Sequence, residues 1–215
     1  MGNKPSSPAE SAPVVAQNAL LNKFCGDTCH IESKSLDLSN GHMNYIEVVN
    51  KQKRQKLLQA SPAEQLQAKQ KEKVLVLTHG YGSGIGFFYP NFHKLSTIYD
   101  RVIAFDWLGM GGSAREVKSS LPMRGWLNHK SMTGTKASNF FIDHLEEFRV
   151  SLGLENFVLA GHSLGGYLAG RYALKYPTHL RGLVLISPAG IPPHPPKEAH
   201  INPSELSLRM RTVAN

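Results

Sequence analysis

Cysteine is nearly absent from this chain, with only Cys25 and Cys29 among 215 residues. Two cysteines four positions apart cannot build the disulfide framework of a small secreted domain, and they point to a reducing compartment, so a cytoplasmic location is expected. His30 adds a third ligand type, but no fourth follows at metal-site spacing, so no metal is expected. No run approaches the ~20 apolar residues that span a bilayer. No apolar stretch of leader type follows Met1 either, which argues against a secretory signal. Acidic residues are scarce, 16 against 24 basic ones, for a net charge of +8. That balance favours anionic partners. No RNA or DNA motif accompanies it, so nucleic acid is not the expected partner. The glycine-rich stretch His79-Gly80-Tyr81-Gly82-Ser83-Gly84-Ile85-Gly86 lacks the Gly-Lys-Ser/Thr of a phosphate loop, and no cofactor is expected.

What is present centres on Asn156 to Gly166. Phe157-Val158-Leu159-Ala160 is a short apolar run of the kind a buried parallel strand shows. Gly161-His162-Ser163-Leu164-Gly165 then reads G-x-S-x-G. A helical pattern follows from Tyr167 to Leu174 and ends before Pro177. Strand, tight turn and helix together describe a nucleophile elbow. The serine there must adopt a strained backbone conformation. Gly161 and Gly165 remove side chains that would collide beside it. The helix N-terminus favours developing negative charge, and the Leu164 amide is placed to stabilise an oxyanion.

Further stretches share one pattern: Thr78-His79-Gly80-Tyr81-Gly82, Asp106-Trp107-Leu108-Gly109-Met110-Gly111-Gly112-Ser113 and Ser187-Pro188-Ala189-Gly190. Together with the elbow they resemble the α/β-hydrolase family over Asn44 to about Pro193. The helix Phe141 to Arg149 and the turn Pro188-Ala189-Gly190-Ile191-Pro192 are similar to one branch, that of the lysophospholipase, the lysophosphatidic acid acyltransferase and the lipase-activating proteins of lipid droplets. The resemblance implies an α/β fold with a mostly parallel, doubly wound sheet. It implies Ser163 as catalytic nucleophile and a second oxyanion amide from Tyr81, or failing that Gly82, with Gly80 shaping the loop. It places Asp106 in a structural turn and gives His79 a structural role. Phe87, Phe88 and Tyr89 line an acyl pocket or fill the core.

Three regions are read. Residues 1–40 are expected as a poorly ordered tail, rich up to about residue 20 in Pro, Ser, Ala and Asn. Gly2 with Ser6 fits an N-myristoylation pattern, and a single acyl chain would need a second membrane signal, with Cys25, Cys29 or a basic segment as candidates. Residues 41–190 are read as the core. Leu36 to Val49 carries Asn40-Gly41, a strong turn signal; Tyr45, Glu47 and Val49 alternate with Asn44, Ile46 and Val48, as an edge strand would, and the resemblance implies the opening hairpin of the sheet here. Lys51 to Lys73 carries seven basic residues against Glu64 and Glu72, and is read as an exposed, partly helical insertion, a solvated face before a membrane contact. Val74 to Leu77 and Val102 to Phe105 are central strands. Ala137 to Leu152 is an amphipathic helix with Phe140, Phe141, His144, Leu145 and Phe148 on one face.

Residues 191–215 are read as the start of a cap. After Gly190 only 25 residues follow, five of them proline, too few for another βαβ unit of about 30 residues. The family order is serine, acid, histidine, so the late acid and histidine are expected to be missing. The sheet is therefore expected to be incomplete, with an unpaired apolar edge at Leu183 to Ile186. Two functions follow: a serine hydrolase or acyltransferase acting on (lyso)phospholipid acyl esters, inactive in this form for want of a base, or a non-catalytic lipid-associated regulator or inactive fragment on the same fold. The expected partners are the acyl-ester or phospholipid substrate and a membrane or lipid-droplet surface.

Overall fold

The structure, a computed structural model, describes residues 11–115 and 134–190. Gly2, the loop Ser119 to Lys130 and the segment from Ile191 onward lie outside the described residues.

The sheet begins with a hairpin. β1 (Cys29–Leu38) and β2 (Gly41–Asn50) pair antiparallel in unbroken register from Cys29↔Asn50 to Leu38↔Gly41. Gly41 closes the turn at φ 139°, where a side chain would be strained. β3 (Val74–Thr78), β4 (Arg101–Phe105), β5 (Phe157–His162) and β6 (Leu180–Ile186) complete a six-stranded sheet in the order β1-β2-β4-β3-β5-β6. β4, β3, β5 and β6 run parallel, and β2 lies antiparallel to β4.

Strand alternation divides the core. Val74 and Val76 of β3 project to one face with Ile103 and Phe105. There they meet Ile142, Leu145 and Phe148 of α5 (Gly134–Ser151) and Leu168, Ala169 and Tyr172 of α6 (Leu164–Lys175). Leu75 and Leu77 project to the other face with Val102 and Ala104. They are covered by Leu21 and Cys25 of α1 (Ala12–Cys25) and Phe92 of α4 (Tyr89–Ile98). A strand buried on both faces must be apolar throughout, which is why β3 reads Val-Leu-Val-Leu. Each fully buried aliphatic side chain contributes roughly 1.5–3 kcal/mol. Tyr172 Oη donates to Glu146 Oε2 at 2.6 Å, tying α6 to α5.

Four expectations need correction. The stretch expected as a tail contains α1 and β1, and packing explains it: Val14, Leu21 and Cys25 form an apolar stripe on α1 that is 3%, 0% and 2% exposed. β2 is not an edge strand, because β1 takes the outer position along its whole length. On α5, His144, Leu145 and Phe148 are buried as expected, but Ile142 joins them while Phe140 and Phe141 are only half-buried. Cys25 and Cys29 sit in the core, the first donating to the Tyr89 carbonyl and the second against Ser96 Oγ, so neither thiol is presented for acylation. Burial and the neighbouring Cys29 push the Cys25 thiol up from its ordinary value, which further suppresses the reactive thiolate.

The basic segment folds as two short helices, α2 (Lys51–Gln59) and α3 (Pro62–Gln70), neither of which buries a residue. Asn50 caps α2, accepting from the Gln52 and Lys53 amides at 3.1 and 3.2 Å. Ser61 and Glu64 cap α3 reciprocally. No helix among the described residues is long and apolar enough to cross a membrane.

Candidate functional site

The strands β3, β4 and β5 end side by side, with Thr78 opposite both Phe105 and Gly161. Three turns therefore converge at one end of the sheet. The turn after β5 is the elbow. Ser163 adopts φ 54°, ψ −118° between β5 and α6, a region non-glycine residues rarely occupy. The surroundings over-determine it. The Ser163 amide donates to Ile186 O at 3.0 Å, and its carbonyl accepts from Tyr167 N at 3.0 Å and Ala189 N at 2.9 Å.

Backbone packing around the elbow leaves no room for side chains. A Cβ on Gly161 would stand 2.3 Å from Gly165 O, and one on Gly165 would stand 2.5 Å from Thr78 O and 2.6 Å from His79 O. The strand, the turn and the first turn of the helix thus interlock as backbone against backbone. The Leu164 amide is at the first position of α6, where helical N–H groups have no partner within the helix and the dipole favours an anion.

The second turn carries the other sequence-derived residues. Gly80 abuts the serine: a Cβ there would lie 3.0 Å from Ser163 Cβ and 3.3 Å from His162 Nδ1. Tyr81 follows at once and is 59% exposed. The turn closes as Ser83 N donates to Gly80 O at 3.3 Å. Gly82 is at φ 66° with nothing near its missing side chain, so conformation rather than crowding calls for glycine. Gly80, Gly161, Gly165, Ser163 and Leu164 are brought together, with Tyr81 on the adjoining turn.

His79 and Asp106 anchor this arrangement. His79 is fully buried, with Nδ1 donating to Gly80 O at 2.7 Å and Nε2 accepting from Trp107 N at 3.1 Å. A ring that accepts at Nε2 is neutral, and burial lowers its proton affinity below the ordinary histidine value despite the Gly80 carbonyl and the Asp106 carboxylate. Asp106 Oδ1 accepts from Ile85 N at 2.8 Å. Its Oδ2 accepts from Asn44 Nδ2 at 2.7 Å and Gly112 N at 2.8 Å. One carboxylate thereby fastens the Gly80–Gly86 loop, β2 and the Gly109–Ser113 loop to one another. Among the described residues, no imidazole or carboxylate hydrogen-bonds the Ser163 hydroxyl.

Two features escaped sequence reasoning. His162 stacks on Phe87, ring centroids 4.7 Å apart and planes 21° from parallel, which puts an exposed aromatic at the edge of the elbow. The Ser187–Gly190 turn also supports the serine, since a Cβ on Gly166 would meet Pro188 Cβ at 2.9 Å. The Ser-Pro-Ala-Gly motif was the signal for the latter; nothing in the sequence announced the former.

A profile of the alpha/beta hydrolase fold matches residues 73–206. The chain belongs to the α/β-hydrolase family. Three relatives illustrate its similarities. A probable 1-acylglycerol-3-phosphate O-acyltransferase of Oryza sativa subsp. japonica is 47% identical over 116 residues, 54% of this chain and 25% of that protein. The 1-acylglycerol-3-phosphate O-acyltransferase ABHD5 of Homo sapiens is 40% identical over 121 residues, 56% of this chain and 31% of that protein. A (lyso)-N-acylphosphatidylethanolamine lipase of Bos taurus is 36% identical over 121 residues, 56% of this chain and 32% of that protein. The α/β-hydrolase chain therefore matches about a quarter to a third of the length of these relatives. A crystal structure of a membrane phospholipase A shares its fold at 22% identity and a TM-score of 0.58, covering 85% of this chain and 47% of the other.

Proposed function

We propose that Ser163 is the nucleophile of an acyl-transferring serine enzyme whose substrates are (lyso)phospholipid acyl esters. The observation that carries this reading is the serine held at φ 54°, ψ −118° on the N-terminus of α6 by backbone contacts that tolerate no side chain. Strain of that kind persists only where surrounding structure pays for it, and it presents the hydroxyl outward. A passive lipid-associated regulator has no need of it. The relatives' names supply the substrate class.

In this reading Ser163 Oγ attacks the ester carbonyl as a base takes its proton. The oxygen that becomes negative lies between the Leu164 and Tyr81 amides, where preorganised donors lower the barrier. Collapse expels the lysolipid alkoxide, which takes up a proton, and leaves an acyl-serine. Water completes hydrolysis; a lysolipid hydroxyl completes acyl transfer. Since no described side chain bonds Ser163 Oγ, the base and its acid are supplied from outside the described residues. We further propose Gly2 as an acylation site that brings the protein to a membrane or lipid-droplet surface from the cytoplasm. Equal partition of wild type and Gly2→Ala on fractionation of cells would remove that proposal.

The main reading is tested with a serine-reactive alkyl phosphonate on the whole protein. Covalent labelling of wild type and its loss in Ser163→Ala is the expected result, with turnover lower by at least ~10³-fold. Labelling that survives Ser163→Ala would refute it.

A further inference from the structure

Among the described residues, no element covers the outer surface of the α2–α3 pair. Its helices are nine residues each and bury nothing. Helices this short are marginal in water, so their own caps rather than packing hold them. Lys51, Lys56, Lys69, Lys71 and Lys73 are exposed, while the nearby carboxylates are already engaged: Glu72 with Arg101 at 3.2 Å, Asp100 with Lys53 of α2 at 3.3 Å. Glu64 is turned back onto Ser61. Among these lysines stand Leu57, Leu58 and Leu66, 45%, 64% and 60% exposed. Helical spacing puts Leu58 on the face of Lys51 and Arg54, and Leu66 beside Lys69.

We infer that this helix pair docks on an anionic lipid bilayer. Clustered lysines are drawn to anionic headgroups, and their long stems allow the ammonium groups to stay at headgroup level while leucines enter the acyl boundary. A phosphate backbone would use the lysines but leave the leucines in water, which sets lipid above nucleic acid. The pair also sits at a defined pole. α2 follows the last residue of β2, and α3 leads into the start of β3, whereas Ser163 lies beyond the far end of β5. Docking by this surface is a tether that leaves the elbow facing away from the bilayer.

The test is sedimentation of unacylated full chain with vesicles of phosphatidylcholine, or of phosphatidylcholine mixed with phosphatidylserine. Binding to the mixed vesicles alone, weakening with salt, is expected. Lys56→Glu with Lys69→Glu should weaken it by about 25-fold or more, at about fivefold per lysine. Leu58→Ser with Leu66→Ser should weaken it by about tenfold. Lys94→Glu, an exposed charge reversal on α4, should have little effect, and circular dichroism should show all variants folded. Equal binding to both vesicle types, wild-type binding by the helix-pair variants, or binding to duplex DNA in place of vesicles would overturn the proposal. Phosphonate labelling of Ser163 should be unchanged by bound vesicles, and a block would overturn the tether geometry. A failure to label with or without vesicles would count against the nucleophile reading and leave the sedimentation result standing.

Discussion

Val74 to Leu77 and Leu183 to Ile186 are nearly the same sequence, Val-Leu-Val-Leu and Leu-Val-Leu-Ile, and both form parallel strands beside the elbow. Their environments differ sharply. The residues of β3 are at most 6% exposed, whereas those of β6 are 38% to 45% exposed. β3 has a strand on each side and helices over both faces; β6 pairs with β5 alone among the described residues. An apolar run therefore specifies a strand, and its neighbours decide how much that strand contributes. The two ends differ in the same way. β3 runs into a turn locked by His79, Asp106 and the backbone of Gly165, while β6 touches the elbow through a few backbone hydrogen bonds.

The sharpest break comes from equal truncations. Leu77→Ala should cost about 3 kcal/mol, since it empties a closed site, and Leu185→Ala about 1 kcal/mol. Urea titrations of the two variants measure the contrast. Equal losses would show that β6 is covered in solution, by another segment or a second copy, and the comparison would dissolve.

Gly165→Ala probes the junction of β3 with the elbow. Its new methyl would meet two carbonyl oxygens of the backbone at 2.5 and 2.6 Å, which no rotamer can relieve. A loss of about 2 kcal/mol is expected, together with loss of Ser163 labelling, because the strained turn and the oxyanion amides shift as one piece. Normal labelling in a folded Gly165→Ala protein would mean that the turn is softer than its packing indicates.

His79 gives the β3 end a pH dependence. Its proton affinity is lowered in the folded state by burial, so the unfolded chain binds the extra proton more readily. The stabilising contribution is therefore complete above the unfolded value near 6.5 and declines as pH falls below it. Thermal unfolding across this range should show wild type losing ground in acid, and His79→Gln should flatten that part of the profile. An unchanged slope in His79→Gln would assign the acid sensitivity elsewhere.

Much of this was legible in the residues themselves. The glycines around Ser163 and the apolar runs of β3, β4 and β5 state local requirements, and a local requirement can be read from a short window. The Asn40-Gly41 turn marked the hairpin, but the first seven residues of β1 could not be read that way. Cys29-His30-Ile31-Glu32-Ser33-Lys34-Ser35 has little alternation, and it becomes a strand because β2 offers it a full antiparallel ladder. α1 was hidden by composition: its three buried side chains are spread over twelve positions among Ala, Asn and Gln. The Phe87–His162 stack joins residues 75 positions apart and left no trace in either neighbourhood. Asp106 was placed in a turn, but its reach to Asn44, Ile85 and Gly112 emerges only from the folded loops.

The smallest expected effect lies on β6 itself and runs the other way. Gly182 pairs with Val158, and its φ lies outside the left-handed region. A Cβ added there would meet only Val158 Cγ2, at 3.8 Å, an ordinary van der Waals contact. Alanine therefore fits the native backbone without strain and removes conformational freedom from the unfolded chain, which stabilises by about 0.5 kcal/mol. Thermal unfolding of Gly182→Ala should show a midpoint raised by about 1–2 °C. The same substitution at Gly165 should lower it, so one change of glycine to alanine takes opposite signs at the two strands. A destabilised Gly182→Ala would mean that β6 is packed more tightly in solution than its exposed side chains indicate, and it would move β6 to the same side of the comparison as β3.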